Sequence, residues 1–473
     1  MNSELENIDP ARRIELGRVM DELKPELTTE QVLAELELSQ KGYVKGNLSN
    51  CVKVLRSDPV LRGAIRYNML TQQTDLIRAL GWPRESSYPA MADIDIENIW
   101  LYIEQTYGIT SEKNIESAIT IVANENRYHP IRDYLNSLQW DGQERVRYAL
   151  RHFLGADTND YTFEMLKFFM LGAVSRVFEP GIKFDYMLCL IGSQGTGKSS
   201  FFNFLAVRDE WFTDDIKDLE SEKVFQKMQG HWIIEMSEML ATTNAKSNES
   251  IKSFLSRRSD NFRTPYDKFA KDRPRQCVFG GTTNKTGFLP RDRTGNRRFL
   301  PVRCHEELAE VFILDDETAS RAYIDQMWAE IMETYRKGNI RLKLTKEMSQ
   351  AVVEYQRQFT QEDVDSGMIQ AFMEDYTGDK VCSRMLFKEA LNHPYDEPRR
   401  YQTNEICETV NQLIADGTLK GWEYFASPKR FTDYGTQKGW LRVNTAASTE
   451  DGFELVPEQM KLPFDEPEKN TVR

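Results

Sequence analysis

The stretch YMLCLIGSQGTGKSSFFNFLA, Tyr186 to Ala206, sets an apolar run against a glycine-rich loop and then a second apolar run. YMLCLI is short, continuous and rich in large side chains, as suits a strand buried on both faces. GSQGTGKS, from Gly192 to Ser199, fits the spacing G-x-x-x-x-G-K-[ST]. SFFNFLA continues as a helix with one buried side. Strand, loop and helix in that order call for an α/β architecture with a sheet of parallel strands.

The loop has a direct physical reading. Gly192, Gly195 and Gly197 let the backbone curl so that its N–H groups point inward at phosphate oxygens. The start of the helix adds a partial positive charge. Gly192, Ser193, Gln194, Gly195, Thr196, Gly197, Lys198, Ser199 and Ser200 are therefore the candidate ATP contacts. Lys198 would neutralise the β and γ phosphates, and the Ser199 hydroxyl would ligate Mg²⁺. The competing reading is a chance glycine-rich turn, which the flanking strand and helix disfavour.

Hydrolysis also needs a carboxylate at the metal and another to activate water. HWIIEMSEM is the next apolar run with acids, and it supplies Glu235 and Glu238. One would hold the metal and its water and the other would act as base, with the division open. Glu238 has a plainer reading as the start of a solvated helix. QCVFGGTTNK ends an apolar strand in Thr282, Thr283 and Asn284. Asn284 is placed to orient the lytic water, or else caps a turn. In RDRTGNRRFLPV, Arg297 and Arg298 precede a strand. Either would serve as a finger on a neighbouring copy's nucleotide, the other as a structural ion-pair partner.

Charge carries the next inference. The 473 residues have a net charge of −13, which by itself argues against nucleic acid. Yet Lys252 to Arg303 holds fourteen Lys and Arg against four Asp, a local +10 on an acidic body. Within it, Asn261–Arg275 has the pattern of a hairpin with PYDK near its tip. Basic residues there interleave with Phe262, Tyr266 and Phe269, suited to phosphates and to bases. Arg263, Lys268 and Lys271 are the candidate contacts to single-stranded DNA. The alternative is a solvated hairpin that joins subunits.

The rest of the chain divides by pattern. Residues 1–115 read as a small mixed α/β domain and 116–180 as a helical bundle. Residues 181–345 read as the ATPase core and 346–379 as connecting helices. Residues 380–445 form a compact unit that fits a winged helix, with Arg399, Arg400, Lys429 and Arg430 toward duplex backbone or, alternatively, a protein-binding face. Residues 446–473 read as an acidic disordered tail. The six cysteines include no CxxC pair, so a zinc site or disulfide framework is not expected. Asp93-x-Asp95 reads as a helix cap rather than a metal pair, and the isolated His129 as structural. No secretory signal or membrane span is expected, which points to the cytoplasm.

The run YHPIRDYLNSLQWDGQERV, followed by PGIKFDYMLCLIGSQGTGKSS, IIEMSEM, IKSFLSRRSDNFRTPY, RQCVFGGTTN and TGNRRFLPV, resembles the virulence-associated protein E family. That family is similar to the superfamily 3 helicases of phages and mobile elements. The likeness spans about residues 128–305 and rests on the order and spacing of these motifs. It implies an AAA+-like P-loop core and a hexameric ring of identical copies. It also implies ATP-driven translocation on single-stranded and forked DNA, with host or element replication proteins as partners. By position, Lys198 and Ser199 match the phosphate loop, Glu235 and Glu238 the acidic strand, Asn284 the sensor, and Arg297 or Arg298 the finger. Lys268 and Lys271 match only the region where such helicases meet DNA. Glu-x-x-Glu agrees with this family but not with the adjacent acid pair of the wider superfamily. Many relatives carry a primase, for which the N-terminal residues are too few. The rival expectation is an initiator or loader that recruits a host helicase without unwinding.

Overall fold

In the computed structural model the described residues are 27–84, 89–216, 218–219, 221, 223–237, 245–263, 269–289, 296–360 and 364–443. Glu238, Lys268, Tyr266 and the acidic tail lie outside them. The chain divides into two units, Met1–Gln361 and Glu362–Arg473.

The first unit begins with a small core of its own. Helix Leu48–Ser57 packs on helix Glu112–Glu125, which packs in turn on β1 (Ile65–Asn68) and β2 (Gln73–Leu76), with β3 (Arg127–Tyr128) beside β1. The strand order is β2-β1-β3, with β1 antiparallel to β2 and parallel to β3. Ile115, Ile119 and Val122 recur at helical spacing and all face this core. The helix Glu112–Glu125 therefore packs with the N-terminal body, and the expected boundary at residue 115 moves to about residue 126. The buried Asp95 carboxylate accepts the Ala92 N–H (3.0 Å) at the start of helix Asp93–Tyr107 and pairs with Arg84 (2.9 Å). His129 caps helix Pro130–Ser137, its Nδ1 accepting the Arg132 N–H (3.4 Å), while Nε2 lies 2.6 Å from Gln276 Oε1. Burial pushes its pKa down to about 4, so the ring is a neutral structural link.

Beyond these lies a five-stranded parallel sheet ordered β10-β4-β9-β6-β5. Its members are β4 (Met187–Ile191), β5 (Phe212–Thr213), β6 (Ile233–Met236), β9 (Val278–Thr283) and β10 (Phe299–Arg303). Between β6 and β9 a two-stranded hairpin, β7 (Ser259–Phe262) with β8 (Lys271–Pro274), stands apart from that sheet. Alternation along β4 explains its uninterrupted apolar sequence. Leu188 and Leu190 enter one core, with helices Val146–Leu154, Asp160–Phe178 and Glu317–Arg336. Met187, Cys189 and Ile191 enter the other, with Ile251, Phe254 and Phe359. A strand covered on both sides has no polar face. Arg176, fully buried on the long helix, ties the sheet's base together by donating to Cys277 O (2.7 Å) and Phe184 O (2.6 Å).

The second unit has its own core of Ile369, Met373, Val381, Leu386, Val410 and Trp440. Helix Val364–Asp375 leads to β11 (Lys380–Cys382), a short helix Ser383–Met385 extended by one wide turn over Leu386–Ala390, and helix Arg400–Ala415. The strands β12 (Trp422–Phe431) and β13 (Gly435–Arg442) follow, in the order β11-β13-β12 with both pairings antiparallel. The segment 346–379 is therefore split rather than a single connector. Val352 on Lys346–Gln356 buries in the first unit, and Ile369 and Met373 bury in the second. Arg399, Arg400, Lys429 and Arg430 are all exposed. Among the described residues no helix is long and apolar enough to cross a membrane.

Candidate active site

The site lies at the C-terminal ends of the central strands. After β4 the loop 192–197 turns into helix Lys198–Leu205. Gly195 (φ +94°) and Gly197 (φ +82°) hold left-handed backbone that a side chain would strain. At Gly192 a Cβ would stand 2.6 Å from the carbonyl oxygen of Cys304. The following helix sits close to the sheet because β9 offers Gly280 beneath it. A Cβ there would meet the Phe202 ring at 2.5 Å. The Lys198 ammonium bends over the loop and donates to the carbonyls of Gly192 (2.9 Å) and Ser193. Burial pushes its pKa down.

Glu235 comes from β6, level with Gly280 of β9. It is fully buried, and burial raises its pKa against the pull of two hydroxyl hydrogen bonds. The Ser199 hydroxyl donates to its Oε1 at 2.8 Å, and Thr282 from β9 donates to the same oxygen. Its Oε2 is buried with no partner among the described residues. Loop, acid and neighbouring strand thus converge through one carboxylate. A serine hydroxyl, a carboxylate with an unused oxygen and the phosphates of a substrate form an all-oxygen set that fits Mg²⁺. Among the described residues no group of three or more His, Cys, Asp or Glu could hold a metal by itself.

The other sequence candidates separate. Asn284 is exposed one residue past β9, within two residues of Thr282. Arg298 is engaged inside its own chain, by Asp185 (3.4 Å) and the Ser256 hydroxyl (3.2 Å). Arg297 is exposed. Both precede β10, whose first residue pairs with Met187, so both stand at the opposite end of the strands from the phosphate loop. The hairpin has the register Ser259↔Pro274 to Phe262↔Lys271, and Arg263, Phe269 and Lys271 are exposed on it. Phe262 packs instead against Phe225 (6.0 Å) beneath the Arg273 guanidinium.

Sequence reasoning did not assign a role to Thr282 or to Glu306. Glu306 follows β10, and its carboxylate oxygens lie 3.8 and 4.0 Å from where a Cβ on Gly195 would stand. The polar end of an apolar strand was the visible sign for Thr282. Nothing local marked Glu306, because the turn after β10 brings it to the loop.

Residues 135–361 match the family model of the virulence-associated protein E-like domain. The matched segment contains the phosphate loop, Glu235, Thr282, Asn284, Arg297 and the hairpin. No curated protein matches the chain. Among solved structures, the A-form apo structure of the NrS-1 C-terminal region covers 84% of this chain and 100% of its own, with a TM-score of 0.45 and 13% identity. Another apo structure of that region covers 80% of this chain and 95% of its own, with a TM-score of 0.42 and 14% identity.

Proposed function

We propose that the chain is an ATP-dependent DNA helicase serving replication of a phage or mobile element, built as an AAA+-like ring of identical copies. The observation that carries this reading is the convergence of Ser199, Thr282 and Glu235 at the mouth of a glycine-wrapped loop. Loop N–H groups and the Lys198 ammonium would bind the β and γ phosphates. Ser199 and Glu235 would hold Mg²⁺, which when bound neutralises phosphate charge. With Oε1 already committed to two hydroxyls, Glu235 suits the metal side. Glu238 then takes the base role and Asn284 the orientation of water.

Since Arg298 is tied to Asp185 and Arg297 is not, Arg297 is the finger, delivered from an adjoining copy. Arg263 and Lys271 on the hairpin, with Lys268 between them in sequence, contact single-stranded DNA through phosphates, which is why the basic stripe sits on an acidic body. The unit after Gln361 has the element order helix, strand, helix, helix, strand, strand. We read it as a winged helix with its basic residues toward duplex.

A forked duplex with a labelled strand tests the reading. ATP-dependent strand displacement is expected. DNA-stimulated hydrolysis without displacement would replace the helicase by a loader or initiator. Hydrolysis indifferent to DNA would remove the DNA role.

A further inference from the structure

β10 is an edge strand of the central sheet, and its two ends carry surfaces of opposite character. At the C-terminal end the strap 305–317 lies on the phosphate loop. It holds six acids, Glu306, Glu307, Glu310, Asp315, Asp316 and Glu317, and no Lys or Arg. Leu308, Phe312 and Leu314 on it are 40%, 40% and 45% exposed. The strap is pinned rather than loose. Its His305 N–H donates to Leu154 O (2.9 Å), and the N–H groups of Glu310 and Val311 donate to His152 O (3.0 Å each). Phe312 rests 3.4 Å from where a Cβ on Gly197 would stand.

At the N-terminal end lies an open bay of about 630 Å³. Leu342, Val352 and Val353 line it, and Lys183, Arg297 and Lys343 stand on it as exposed cations. Among the described residues none of these three makes an ion pair. The one carboxylate of the bay, Asp185, is already taken by Arg298. The five residues of β10 separate bay and loop by roughly 16 Å along the strand. The bay is thus too far from the loop of its own chain to complete it.

We propose that the acidic strap of one copy seats in the cationic bay of the next. The contact is heterologous, joining unlike faces, and such contacts propagate head to tail into rings when the rotation closes. It covers Leu308, Phe312 and Leu314 with Leu342 and Val353, and sets acids opposite Lys183 and Lys343. It also brings Arg297 of one copy beside Lys198 of the other, so neither site is complete alone. A DNA strand in the bay would meet the three cations but leave the apolar strap bare. A second copy satisfies both surfaces at once. The inference rests on the reading that an adjoining copy completes hydrolysis, and it names the surfaces that do so.

Charge reversal in the full-length chain tests it. Lys343→Glu and Asp315→Lys lie outside the catalytic set, and each is exposed. Each alone should raise the concentration needed for assembly at least about tenfold, because like charges then face each other. Together they should restore assembly to within about threefold of the parent. Sedimentation reads the assembly, and urea midpoints equal to the parent's establish that each variant is folded. Single variants that assemble as the parent, or a double variant no better than the singles, would overturn the contact. So would loss of single-stranded oligonucleotide binding in Lys343→Glu with assembly intact. A parent chain that assembles and hydrolyses ATP while the reversals are silent overturns this contact alone. A parent chain that assembles through it without hydrolysing ATP overturns only the reading beneath it.

Discussion

Lys198→Ala should lower ATP hydrolysis at least about a hundredfold while leaving the fold in place. Among the described residues the Lys198 ammonium is the cation that hydrogen-bonds to the loop, where it already bends over the carbonyls of Gly192 and Ser193. Its removal leaves charge on the β and γ phosphates uncompensated at the point where it develops. Alanine is a good helix former, so the first residue of helix Lys198–Leu205 tolerates it. Lys198→Arg should not rescue, because a planar fork does not replace a compact ammonium. Phosphate release measured beside a urea curve separates the two effects. Hydrolysis within twofold of the parent, at unchanged stability, would contradict the assignment.

Asp260→Ala should destabilise the first unit by about 3–5 kcal/mol, the largest effect expected from a single ion pair here. Asp260 and Arg275 join the start of β7 to the end of β8, with side chains only 6% and 1% exposed. Arg275 donates to Asp260 twice (2.7 and 2.9 Å) and to Phe254 O (2.6 Å), and lies over the Phe254 ring at 4.5 Å. Removing the carboxylate leaves a guanidinium buried without its counter-charge. The cost is that of the stranded charge rather than of the pair itself. The double variant Asp260→Leu, Arg275→Met should therefore recover most of the loss. Urea denaturation of the three chains reads both steps. A single variant within about 0.5 kcal/mol of the parent would show that the arginine is solvated after all.

Those two residues also show what the sequence made legible and what it did not. The phosphate loop was readable because its chemistry is local: three glycines, a lysine and a hydroxyl at fixed spacing on one turn. The acidic strand was readable because an apolar run ending in acids is unusual. The hairpin was readable from its basic and aromatic alternation, although Phe262 proved to be packing against Phe225 rather than presented outward. Contacts made across the sheet were not legible. Thr282 reaches Glu235 only because β9 lies between β4 and β6, an order that no strand's own sequence encodes. Arg297 and Arg298 are adjacent and chemically alike. They differ because Asp185, more than a hundred residues away in sequence, engages only the second. The helix Glu112–Glu125 read as part of the bundle because its apolar spacing fits either neighbour, and its contacts with Leu48–Ser57 decide the matter. The same holds for helix Val364–Asp375, whose Ile369 and Met373 face the second core.

The central claim is that one copy supplies the phosphate loop and the next supplies the cation. It is tested most directly by mixing two inactive proteins. Lys198→Ala chains keep Arg297, and Arg297→Ala chains keep Lys198. In an equal mixture about a quarter of the boundaries pair an intact loop with an intact finger. Phosphate release should therefore rise well above that of either protein alone, toward a quarter of the parent rate. A mixture that hydrolyses no more ATP than its two components, under conditions in which the parent assembles, would contradict the account.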